Sequence, residues 1–135
     1  MQTLGQQIVG VFYEVYRELG HGFLESAYQR AMHIALSERG IHCEREVPVS
    51  VQFRGRIVGE YRMDLVANRA FVIECKTADK ISPAHHAQLL NYLKATDYNL
   101  GLILNFGPKP SFKRLIYESA RARDHSIVEK ESAPP

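Results

Sequence analysis

Arg62-Met63-Asp64-Leu65-Val66-Ala67, the turn pair Asn68-Arg69, and Ala70-Phe71-Val72-Ile73-Glu74-Cys75-Lys76 form the stretch on which the reading of this chain turns. Two apolar runs flank turn residues, as in a β-hairpin. Side chains alternate faces along a strand, so Glu74 and Lys76 point one way while Ile73 and Cys75 point the other. Opposite charges inside an apolar strand are costly unless they pair or serve a ligand. Taken alone, the tripeptide reads first as a cross-strand ion pair. Asp64 changes that balance. If the two strands pair with positions summing to 138, Asp64 stands opposite Glu74, whereas a strict two-residue turn gives 137 and sends Asp64 to the other face. A shared site therefore requires a three-residue loop or a bulge. Two converging carboxylates then call for a cation of the Mg²⁺ type, and Lys76 beside them can orient or help deprotonate a water.

Working outward toward the N-terminus, Val47, Val49, Val51 and Phe53 alternate with polar residues and predict a half-buried strand, with Pro48 near its beginning. Arg54-Gly55-Arg56 is a turn, and Ile57 to Ala67 the next strand. With Ala70 to Lys76 these make an antiparallel meander. Before them, Leu4, Ile8, Val11, Phe12, Val15 and Leu19 fall at helical spacing. Gly20-His21-Gly22 breaks that helix. A second helix is expected from about Leu24 to Arg39, with Ala27, Ala31, Ile34 and Ala35 on its buried side, closed by Gly40.

Toward the C-terminus, Ser82-Pro83 is an N-cap followed by proline at the first helical position. The helix carries Leu89, Leu90 and Leu93 and is expected to end near Thr96. Leu100 to Phe106 is a continuous apolar run suited to a strand buried on both faces. Gly107-Pro108-Lys109-Pro110 interrupts it, and Phe112 to Tyr117 reads as a last edge strand. The order helix, helix, three strands, helix, strand, strand describes an α/β sandwich with mixed strand directions. Residues 1–124 are read as one domain and 125–135 as a flexible tail.

Composition sets the class. The 135 residues are 45% hydrophobic and 24% charged, enough for one core and too few for two ordinary domains. No apolar stretch approaches a membrane span or a signal segment, so the expected location is cytoplasmic. Cys43 and Cys75 belong to no CxxC pair, which removes the usual zinc or iron–sulfur ligand set. The formal net charge is only +2, yet Lys109, Lys113, Arg114, Arg121 and Arg123 are matched only by Glu118 before Asp124. That segment suits either phosphate contacts or a solvated surface.

Asp64…Glu74-Cys75-Lys76 resembles the PD-(D/E)xK nuclease motif, with Met63 in place of its proline. Gly22-Phe23-Leu24-Glu25-Ser26-Ala27-Tyr28 is similar to the signature of the GxxExxY proteins, a group within that superfamily. The likeness continues through Gln88-Leu89-Leu90-Asn91-Tyr92-Leu93 and Gly101-Leu102-Ile103-Leu104-Asn105-Phe106-Gly107, covering roughly residues 5 to 118. It implies a restriction-endonuclease-like sandwich, with helices on both faces of a mixed sheet. It also implies a divalent metal, Mg²⁺ or Mn²⁺, held by Asp64, Glu74, the backbone carbonyl of Cys75, and Glu25 from an N-terminal helix. Lys76 would position the attacking water and Gln88 would stand near metal and substrate. Tyr28, Tyr92, Lys113 and Arg114 are weaker candidates for contacting substrate.

The histidines point less clearly. His85 and His86 are adjacent on a helix and diverge by about 100°, so they do not chelate as an i,i+4 pair would; solvent exposure is the plainer reading. His21 precedes the signature glycine and could line the site. No phosphate loop, GxSxG elbow or HExxH helix occurs. Three functions follow: a metal-dependent nuclease acting on DNA, or less readily RNA; a dormant nucleic-acid-binding or regulatory module on the same fold; or a structural subunit of an assembly. Retention of Asp64, Glu74 and Lys76 together favours the first. DNA interfaces span roughly 1,000–2,500 Å², so a homodimer or protein partner would add surface that this small chain lacks.

Overall fold

The computed structural model describes residues 1–118 and, by backbone alone, 129–132. Helix α1 (Leu4–Leu19) starts at a capping box in which Thr3 and Gln6 each satisfy the other's backbone N–H. It buries the stripe Ile8, Val11, Phe12 and Val15 and stops at Gly20, whose φ of 68° only glycine takes freely. Helix α2 (Glu25–Glu38) is rotated from the expected face. The long side chains Tyr28, Met32 and Leu36, four residues apart, fill the depth of the core. Ala27, Ala31 and Ala35 flank them, and Ile34 is left 58% exposed.

Strands β1 (Cys43–Phe53) and β2 (Arg56–Ala67) form a hairpin across Arg54-Gly55, both at positive φ, which matches the strand twist. β2 turns into β3 (Phe71–Lys76) through Asn68, Arg69 and Ala70, with Asn68 and Arg69 at φ 50° and 53°. Asn68 exchanges two hydrogen bonds with the backbone of His42, pinning the turn to the residue before β1. Pairing runs Leu65 with Ile73, Val66 with Val72 and Ala67 with Phe71. Each pair sums to 138, so the three-residue connection required by the shared carboxylate site is present.

Helix α3 (Pro83–Lys94) begins at Ser82 as expected and ends two residues short of Thr96. It carries the chain over to β4 (Leu100–Phe106), which lies parallel to β3 and antiparallel to β5 (Pro110–Tyr117). β5 starts earlier than expected and is not the edge, because β6 (Glu129–Ser132) pairs along it. The tail read over 125–135 otherwise lies outside the described residues, as do Arg121 and Arg123.

The sheet order is β1-β2-β3-β4-β5-β6. α1 and α2 cover one face around Phe12, Tyr28, Leu65, Ile73, Leu104 and Phe106. α3 covers the other around Met63, Val66, Val72, Leu89, Leu93 and Ile103. This is the expected mixed-sheet α/β architecture with helices on both faces. Both cysteines are buried free thiols, and burial pushes Cys43 up to about 11. Among the described residues, no helix is long and apolar enough to cross a membrane.

Candidate active site

The site forms where β2 and β3 separate. Their ladder reaches Leu65–Ile73, and one residue further the side chains take over. The Asp64 N–H donates to Glu74 Oε2 at 2.9 Å, and the Cys75 N–H donates to Asp64 Oδ2 at 2.8 Å. β2 rotates here: Leu65 packs under α2, whereas Met63, two residues away, packs on the α3 face. A regular strand would keep both on one face. Across from Asp64, Glu46 of β1 has φ 55° and no place in the ladder between Arg45–Leu65 and Val47–Met63. This distortion turns Asp64 into the gap.

Burial governs the charges. Glu74 is only 2% exposed, and its pKa is pushed up from 4.5 to about 8 by loss of water, then by the charge of Asp64. Desolvation likewise raises Asp64, against the Cys75 amide, the charge of Lys76 and a hydrogen bond from Gln29, which pull it down. Without a cation, the folded chain at neutral pH favours a proton on Glu74 over two full negative charges.

Lys76, on the Glu74 face, donates from Nζ to Gln88 Oε1 at 2.6 Å, and Gln88 Nε2 donates to the Tyr92 hydroxyl at 3.3 Å. Gln88 and Tyr92, one turn apart on α3, thus reach the site together. Tyr92 is itself pushed up by burial and by Glu74. His85 is half-buried rather than exposed: its Nδ1 accepts the Ser82 backbone N–H at 3.0 Å while the His85 backbone N–H donates to Ser82 Oγ. Burial and the charge of Lys76 lower its pKa, against Glu25.

Glu25 is exposed in the first turn of α2, and its charge falls on both Asp64 and Glu74. Tyr28 is not available to a substrate. It is fully buried, its hydroxyl donates to the Gly20 carbonyl at 2.6 Å and receives the Phe23 N–H at 3.3 Å, and its ring stacks on Phe106. It ties down the loop that presents Glu25. Gln29, four residues beyond Glu25, escaped the sequence reading. It is buried, donates to Glu46 Oε2 at 2.8 Å, accepts from Arg45 Nε at 3.2 Å and bonds Asp64. The i,i+4 spacing from Glu25 was the available signal.

Of the weaker candidates, Lys113 lies beside Ile103, itself beside Glu74, so it stands two strand spacings (about 10 Å) away on the site's face. Arg114 does not join the site: its guanidinium lies near Gly5 of α1 and Phe71, toward the opposite end of β3. His21 is exposed in the α1–α2 loop. The Gly101–Gly107 block is structural. Asn105 holds the segment after Lys76 through two 2.9 Å bonds with Ala78, and a Cβ on Gly107 would fall 1.8 Å from the Ala78 carbonyl oxygen.

Among the described residues, no three His, Cys, Asp or Glu side chains converge closely enough to hold a metal. Asp64 and Glu74 are the close pair of acids, while Glu25 stands exposed in the first turn of α2. That pair still fits a Mg²⁺-like ion, which takes one or two protein carboxylates and completes its shell with water and substrate oxygens. The Cys75 carbonyl fits as well. A strand residue points its N–H and C=O to the same side, and the Cys75 N–H already faces Asp64.

No curated protein matches the chain. The fold is similar to a solved structure titled "Crystal structure of SSO0001", at 18% identity, covering 91% of this chain and 81% of that one, with a TM-score of 0.43. The family model described as PD-(D/E)XK nuclease superfamily matches residues 2–115. With Asp64, Glu74 and Lys76 gathered where β2 and β3 part, the chain belongs to the PD-(D/E)XK nuclease superfamily.

Proposed function

We propose that this protein is a metal-dependent nuclease of the GxxExxY type that hydrolyses phosphodiester bonds, in DNA before RNA. The observation that carries the reading is the mutual engagement of Asp64 and Glu74 in the gap between β2 and β3, with Lys76 one step along the same face. Asp64, Glu74 and the Cys75 carbonyl would hold Mg²⁺ or Mn²⁺, which supplies charge neutralisation and polarisation of the scissile phosphate. Lys76, oriented by Gln88, places a water for attack and offers a positive charge to the oxygens on which charge develops. Glu25, in the first turn of α2, would complete the metal site from the rim. The signature positions support the subgroup: Gly22 takes φ 116°, Tyr28 clamps the loop, and Glu25 is thereby presented.

The test is incubation of the purified protein with single-stranded, duplex and branched DNA and RNA, with Mg²⁺, with Mn²⁺ and with chelator. Metal-dependent cleavage that chelator abolishes supports the reading. Binding without cleavage under every condition replaces it with a dormant binding module.

A further inference from the structure

An open groove of about 810 Å³ runs between the β1–β2 hairpin and α3. It is lined by Tyr61, Tyr92, Gln52, Gln88, Asn91 and Lys94. Gln88 is the residue that holds Lys76, so one end opens onto the candidate active site. We propose that this groove receives an unpaired nucleobase of the substrate strand, stacked on Tyr61, so that the enzyme acts on single-stranded or locally unpaired nucleic acid. The proposal rests on the nuclease reading above.

Four features combine. Tyr61 is 51% exposed, unusual for a large ring beside a buried site, and lies 6.3 Å from the ring of Tyr92 at a tilt of 45°. Its position is built into the strand: a Cβ on Gly59 would come within 2.7 Å of the Tyr61 ring, so the glycine makes room for the ring to lie along the hairpin. Gln52 and Asn91 set amide donors and acceptors around the groove, as the edge of a heterocyclic base requires. Lys94 lies six residues beyond Gln88, about 9 Å along the helix axis, where it can meet the next phosphate. A base inside a duplex is covered on both faces and cannot lie on Tyr61; an unpaired base can.

The test is fluorescence titration of oligonucleotides carrying 2-aminopurine, in chelator so that nothing is cleaved, with DNA and RNA arms in single-stranded and duplex form. Wild type should bind single strands and quench the analogue in at least one arm, and that arm identifies the sugar. Y61A should weaken this binding roughly ten- to hundredfold and abolish the quench. Y61F should retain both, and G59A, which displaces the ring, should lose much of the affinity. Y61A binding single strands as wild type does, an unquenched analogue, no binding, or duplex bound as tightly as single strands would each overturn the proposal. Binding and cleavage are read separately. Quenched binding without cleavage in any metal leaves the groove standing and removes the nuclease reading; duplex cleavage indifferent to Y61A does the reverse.

Discussion

Asp64 and Glu74 are coupled through each other's strand: the Asp64 amide binds the Glu74 carboxyl, and the amide after Glu74 binds the Asp64 carboxyl. Two acids so close, one of them buried and the other half-buried, resist carrying two charges, which makes the metal-free fold sensitive to pH. Glu74 is raised from 4.5 to about 8 on folding. The folded state therefore holds a proton that the unfolded state releases between those values. That contribution is fully present below about pH 4.5 and is lost as pH rises through about 8, with a limiting slope of about 1.4 kcal/mol per pH unit. In chelator, melting temperature should fall across this window more steeply for wild type than for Glu74→Gln, which has no proton to lose. Parallel profiles would contradict the buried-acid account.

Metal should reverse that trend. A divalent cation binds the deprotonated pair and stabilises the folded chain by mass action. The rise in melting temperature on adding millimolar Mg²⁺ or Mn²⁺ should therefore be larger at pH 8 than at pH 6, and Asp64→Asn should largely remove it. A shift of equal size at both pH values, or one retained in Asp64→Asn, would place the metal elsewhere.

Much of this arrangement was legible because parity is strict. The requirement that Asp64 and Glu74 share a site called for a register sum of 138, although Asn68-Arg69 looks like a two-residue turn; Ala70 completes the loop. What escaped depends on tertiary packing. The left-handed Glu46 and the rotation between Met63 and Leu65 arise where β2 changes which helix layer it serves, and no local residue announces them. On α2, alanines at helical spacing resemble a core stripe, while Tyr28, Met32 and Leu36 fill the volume. Nothing local distinguishes Tyr61, whose setting comes from Gly59 beside it and α3 across the groove.

Gly107 should tolerate no side chain. A Cβ there would stand 1.8 Å from a backbone oxygen, which cannot rotate away as a side chain could. Gly107→Ala should lower the melting temperature by several degrees, given overpacking costs of about 1–3 kcal/mol. It should also reduce activity, because the displaced Ala78 segment follows Lys76 directly. A melting curve matching wild type would show that the segment yields at no cost.

Gln88→Ala separates positioning from binding. The 2.6 Å bond to Lys76 Nζ is lost, so the amine is free to sample several rotamers. Because the groove contacts of Tyr61 and Lys94 remain, KM should change little while kcat falls about tenfold or more. A change confined to KM would instead make Gln88 a substrate contact.

Lys76→Ala and Asp64→Asn, measured beside wild type, distinguish enzyme from binding module. Lys76 is only partly buried at the end of β3, so its truncation should leave the melting temperature near that of wild type. Cleavage should nevertheless fall by about two orders of magnitude or more, since the lost amine both places the water and offsets developing charge. Affinity for nucleic acid should decline only slightly, as one cation among several phosphate contacts is removed. Asp64→Asn should also stop turnover, here through the metal: added Mn²⁺ should restore part of the activity in Asp64→Asn and none in Lys76→Ala. If wild type binds but never cuts, or if Lys76→Ala cuts as fast as wild type, the residues gathered at the end of β3 are not the machinery of hydrolysis.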